Sequence, residues 1–83
     1  MAELKERIEI GKHMVMDPKI CHGALTFKGT RVIVGVVMEA VIRGQSLSDL
    51  RRGWPRVSEA AFREMLRHAK KSLLASASNG HRR

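Results

Sequence analysis

At 83 residues the chain has room for one small domain, which buries about 60–65% of its unfolded surface and is correspondingly marginal on its own. Hydrophobic residues are 43% of the total, enough for a core, but the only aromatics are Phe27, Trp54 and Phe62, so that core must be built from Val, Ile, Leu, Met and Ala. The net charge is +8, and the single cysteine, Cys21, excludes an internal disulfide.

The charge is uneven. Residues 1–44 carry seven Lys/Arg against five acids, or +2, whereas residues 45–83 carry nine against three, or +6. A basic C-terminal half invites a polyanion such as DNA, RNA or an acidic protein surface; the alternative is a solvated face that only keeps the protein soluble. The opening MAELKERIEIGKH is charged throughout and lacks the apolar centre of a secretory leader. The longest apolar run, Val32 to Met38, falls far short of the roughly 20 residues that span a bilayer. The expectations are a cytoplasmic protein without membrane contact, and a homodimer, because so small a core is often completed by self-association.

In chain order, residues 1–12 read as a charged N-terminal arm, within which Ile8 and Ile10 alternate with charged neighbours as an edge strand would. The stretch HMVMDPKI alternates apolar residues before Asp17-Pro18, a strand ending in a turn. ALTFKGTRV supplies a second extended piece, with Gly29 where a positive φ is needed. Residues 13–33 thus form a small β-element that must lean on helices or on another copy. The block RVIVGVVMEAVIRG mixes β-branched content with apolar residues at three- and four-residue spacing, and reads as a helix from Val34 to Arg43 with Gly44 beyond its end. Ser46 and Asp49 fit a capping box opening a short helix over Leu47 to Arg52, which Gly53-Trp54-Pro55 ends. Ser58 then caps a long basic helix whose apolar stripe is Phe62, Met65, Leu66, Ala69 and Leu73. The single domain spans 13–75, and 76–83 reads as a disordered basic tail. The fold class expected is mainly α: a small N-terminal β-element followed by a three-helix helix-turn-helix unit.

The run DPKICHGALTFKGTRVIVGVV, followed by RGQSLSDLRRGWPRVSEAAF, resembles a bacterial family known as "domain of unknown function four-three-three", regarded as VapB-type antitoxin-like. Its pattern is approximately D-P-x-I-C-G-G-x-P-x-I-x-G-T-R-I-P-V, a helix, G-x-S-x-E-E-I-L, then Y-P-x-L-T-x-E-D-I and a closing helix. Asp17-Pro18, Ile20-Cys21, Gly23, Gly29-Thr30-Arg31, Val34, Gly44, Ser46, Pro55 and Ser58 fall at corresponding places. His22 replaces the first glycine of the pair, Ala24-Leu25 the usual Lys-Pro, Ile33 a proline, and Trp54 a tyrosine. The usually acidic short helix has become Ser48-Asp49-Leu50-Arg51-Arg52. The resemblance implies a homeodomain-like helix-turn-helix and a role as an antitoxin that binds a PIN-like ribonuclease toxin and its own promoter.

For DNA binding, the helix-turn-helix reading puts Ser58, Glu59 and Arg63 nearest the bases and Arg56 and Arg67 on the backbone, with Arg51 and Arg52 reaching phosphates. The competing reading is a solvated face laced by Glu59–Arg63 and Glu64–His68 pairs. Asp17, Gly29, Thr30 and Arg31 form a structural turn, in which the Arg31 guanidinium ties down Asp17 or turn carbonyls. Lys28-Gly29-Thr30 lacks the upstream glycine of a nucleotide-binding phosphate loop. Val34, Val37, Met38 and Val41 are core or, alternatively, a dimer or partner seam. Cys21-His22 has no further ligand at metal-site spacing, and no carboxylate pair or triad order appears, so neither an enzyme nor a cofactor or metal is expected. The function expected is an antitoxin-like DNA-binding protein. The alternatives are a protein-interaction module that occludes the toxin without DNA binding, or an RNA-binding accessory protein.

Overall fold

The computed structural model describes residues 6–80. The chain opens with a three-stranded antiparallel sheet in the order β1-β2-β3: β1 (Ile8–Ile10), β2 (Met14–Met16) and β3 (Leu25–Phe27). Met14 pairs with Ile10 on one side and Phe27 on the other, and Met16 pairs with Ile8 and Leu25. Because side chains alternate along a strand, these residues share one face, and that face looks into the core. Met14 and Phe27 are buried there, with Ile10 and Leu25 packed around them. Val15 and Thr26 lie on the opposite face yet are also buried, and the Thr26 hydroxyl donates to the Val15 carbonyl at 3.4 Å.

Two turns shape the sheet's exits. After β2, Cys21 and His22 adopt φ of 50° and 56°, followed by Gly23 at 85°, so three consecutive residues are left-handed. That conformation costs a non-glycine residue about 1–2 kcal/mol. After β3, the Thr30 N–H donates to the Phe27 carbonyl, closing a turn in which Gly29 takes φ 78°. The Thr30 hydroxyl donates to the same carbonyl at 2.8 Å and accepts from the Val32 N–H at 3.0 Å. Ile33 is still extended and bridges Thr26, and α1 (Val34–Ile42) begins at the next residue.

The helix ends follow from local chemistry. Gly44, at φ 100°, lets the Gln45 N–H reach back to the Ala40 carbonyl and its own N–H reach Val41, which terminates α1. Ser46 and Asp49 cap the start of α2 (Leu47–Gly53) reciprocally, at 3.1 and 2.8 Å. Ser58 Oγ accepts from the Ala61 N–H at 3.1 Å and opens α3 (Glu59–Gly80). Residues 76–80, expected in a disordered tail, continue this helix, and residues 81–83 lie outside the described residues. At 1.5 Å per residue its 22 residues extend about 33 Å.

The expected mainly α, homeodomain-like helix-turn-helix is overturned. A trihelical unit builds its core from helices alone, whereas here α1 packs on β3, α2 packs on α3, and strand residues Met14 and Phe27 share the core with all three helices. The sheet closes the core: Phe27 of β3 meets Phe62 of α3 edge to face, with ring centroids 5.6 Å apart and planes at 74°. Leu50 from α2 and Ala61 and Met65 from α3 complete it. The architecture is a small α/β fold, and β1, assigned to the arm, is one of its strands. The expected seam also changes. Val34 and Val37 are 5% and 0% exposed within the protein's own core, where α1 packs on β3, and Met38 and Val41 pack half-buried beside them. Val34 and Val37 therefore offer no surface to a partner.

Candidate nucleic-acid interface

Between α2 and the start of α3 lies an open groove of about 600 Å³, lined by Ser48, Arg51, Arg52, Pro55, Val57, Ser58 and Glu59. Four of the seven residues expected at DNA meet there: Arg51, Arg52, Ser58 and Glu59. Glu59 accepts from Arg63 Nη2 at 2.7 Å and Nε at 3.0 Å, and Arg51 approaches its other oxygen at 3.3 Å. The Arg63 hydrogen bonds, with the further charge of Arg51, hold the Glu59 carboxyl below its ordinary pKa. Arg52 binds Asp49 at 2.6 Å and the Ser48 hydroxyl at 3.3 Å. These pairs are solvent-exposed, and such pairs contribute only about 0–1 kcal/mol, so the guanidiniums exchange a carboxylate for another anion at little cost. Arg67 is exposed one turn beyond Arg63, on the α3 face opposite Phe62 and Met65.

Arg56 sits apart from that groove, in the α2–α3 turn. It lines a second cleft of about 370 Å³ with Ile20, Gly29, Thr30 and Arg31. It also lines a smaller one, about 140 Å³, that includes Lys12, His13, Lys28 and Ser58. Ser58 thus lines both the helix groove and the smaller cleft, and Thr30 and Arg56 line both the smaller cleft and the second one. The expected tie between Arg31 and Asp17 is absent. Asp17 Oδ1 accepts from the Lys19 N–H at 2.9 Å and Oδ2 from Arg7 at 3.1 Å, which occupies both oxygens. The Lys19 N–H first, then Arg7, hold this carboxyl below its ordinary value. Arg31 is exposed instead, and its carbonyl lies 3.6 Å from the Cys21 Sγ.

The residue that joins sheet to helix is Glu64, which the spacing pairs with His68. Its carboxylate turns away to the β1–β2 turn, accepting from the Lys12 N–H at 2.9 Å and the His13 N–H at 2.8 Å, with His13 Nδ1 at 3.0 Å. The Lys12 amide, followed by the two His13 groups, lowers its pKa from 4.5 to about 2. A side chain on Gly11, at φ 67°, would overlap this carboxylate and come within 2.9 Å of His68 Nε2. Its partners lie 51 and 52 positions away, beyond the reach of any local pattern.

Among the described residues no cluster of three or more His, Cys, Asp or Glu side chains is arranged to hold a metal ion, and no helix is long and apolar enough to cross a membrane. Fold and surface together define a small α/β protein with a basic, cleft-lined face built from α2, α3 and the turn after β3. The family model described as "Protein of unknown function (DUF433)" matches residues 14–69, most of the chain, and the protein belongs to that family. Neither the curated proteins nor the solved structures contain a match to it.

Proposed function

We propose that this protein binds duplex DNA through the α2–α3 groove and acts as an antitoxin-like regulator of its own operon. The observation that carries the reading is the gathering of Arg51 and Arg52 beside the N-terminal end of α3, with Arg56 in the adjoining turn, on a chain of net charge +8. Helix-end amides and arginines are the groups that grip phosphates and set the register of a protein on a duplex. The ribonuclease partner rests on the resemblance to VapB-type antitoxins. Gel shifts on the protein's own upstream DNA test the regulator role. Binding that weakens steeply with salt and prefers this sequence over random duplex supports it, and binding with neither property overturns it.

A second reading, occlusion of a ribonuclease without DNA binding, is favoured by the apolar surface of α3. Leu66, Leu73 and Leu74 are 36%, 68% and 56% exposed on this helix. Such side chains suit a protein partner or a second copy of the chain. Co-purification with the product of the neighbouring gene, in the absence of any duplex binding, is the result that selects it.

A further inference from the structure

We infer that the cleft between the turn after β3 and the α2–α3 turn is a second phosphate-binding site, in which Arg31 and Arg56 clamp one backbone phosphodiester of a bound nucleic acid. This rests on the nucleic-acid reading above and extends the contact beyond the helix groove to the Gly29-Thr30-Arg31 turn.

Three observations converge. The first is how the arginines are committed. Arg51 and Arg63 share Glu59, Arg52 has Asp49 and Arg7 has Glu9 and Asp17, whereas Arg31 and Arg56, like Arg43 and Arg67, have no carboxylate partner within 4 Å among the described residues, and Arg31 and Arg56 line one cleft together. The acid nearest in expectation, Asp17, has both oxygens occupied. Two guanidiniums lining one cleft without a counter-ion give it a positive potential that attracts an anion.

The second is the shape and stiffness of the wall. The cleft holds about 370 Å³ and is lined by Ile20, Gly29, Thr30, Arg31 and Arg56. Thr30 is locked by its two hydroxyl hydrogen bonds, so the turn carrying Arg31 is fixed before a ligand arrives. A Cβ added at Gly29 meets nothing within 4 Å, which leaves the backbone at the tip open to close approach. The third is adjacency. Arg56 borders this cleft and the smaller one that reaches Ser58, a wall of the helix groove, so the clamp neighbours the groove along one surface. Guanidinium presents two parallel N–H donors that match phosphate oxygens, which an ammonium cannot do.

The test has two arms on the full chain. In the first, fluorescence anisotropy follows binding of a duplex from the upstream region across a salt series, for wild type and Arg31→Ala, with thermal melts as a control. The expected result is a loss of affinity that is uniform across sequences, a salt slope shallower by about 1, and an unchanged melting temperature. If wild type binds and Arg31→Ala binds with the same affinity and slope, the clamp is overturned while the DNA reading stands. In the second arm, dimethyl phosphate is titrated against the 15N-labelled protein. Amide shifts at Gly29, Thr30 and Arg31 that disappear in Arg56→Ala support the clamp even where the duplex fails to bind, an outcome that overturns the DNA reading alone. No shift at these amides overturns the clamp.

Discussion

Replacing Glu64 by glutamine probes the joint between sheet and helix. The carboxylate accepts two backbone N–H groups at 2.8 and 2.9 Å, one on each oxygen, and lies 3.0 Å from His13 Nδ1. Glutamine offers one acceptor oxygen and one NH2 group, so it loses the charge and turns a donor toward a donor. A carboxyl held at about 2 rather than 4.5 is equivalent to at most about 3 kcal/mol of stability at neutral pH. The side chain is 15% exposed, so water screens part of that, and about 2 kcal/mol is the expected loss. For a domain of this size the melting temperature then falls by about 10 °C. The sign with pH follows from the direction of the shift. A folded-state pKa below the unfolded one stabilises above about 4.5, and that contribution is lost as the pH falls from there toward 2. Thermal melts between pH 7 and pH 2.5 should show wild type losing stability through this window, and Glu64→Gln losing about 2 kcal/mol less over it. A variant equal to wild type at pH 7, or a pH profile as steep as wild type, refutes the assignment of the joint to the Glu64 carboxylate.

Gly11→Ala combines a left-handed φ with displacement of that same carboxylate, and is expected to cost about 3 kcal/mol by urea denaturation. His22→Gly acts in the other direction: at φ 56° the histidine backbone is strained, and its release should raise stability by about 1 kcal/mol in the same assay. Phe62→Ala removes the ring that meets Phe27 and should cost about 3–5 kcal/mol, enough to leave little folded protein at 37 °C by circular dichroism. Ser46→Ala deletes half of the α2 capping box and should cost about 1 kcal/mol, measured against Ser48→Ala as an exposed control.

Apart from the end of α3, helix boundaries were the most legible part of the fold, because their signals are local. Ser46 with Asp49, Gly44 and Ser58 each act within a few positions of themselves: α2 and α3 start, and α1 ends, where those residues point. The fold class was not legible, for a physical reason. Strands of three residues carry too little alternation to weigh against 22 residues of helical periodicity, and β1 in particular is charged on its outer side. Nothing local shows that Phe27 will meet Phe62, or that α1 will pack on β3. At the candidate interface, the residue types were legible and their commitments were not. Spacing pairs Glu59 with Arg63, but the additional hold of Arg51 on Glu59 depends on how α2 meets α3. Asp17 and Arg31 are complementary in charge and near in sequence, yet Arg7, arriving through β1, takes the aspartate.

The hydrogen bonds from the β1–β2 turn to Glu64 also bear on the order of folding. The sheet's three-residue strands cannot stand alone in water, and the groups that secure them lie in a helix 51 or 52 positions downstream. During synthesis the N-terminal hairpin is therefore expected to find its support only after α3 has left the ribosome. Loop-closure entropy over this separation favours a late docking. Glu64→Gln is then expected to speed unfolding while leaving the folding rate nearly unchanged, the signature of a contact made on the native side of the barrier.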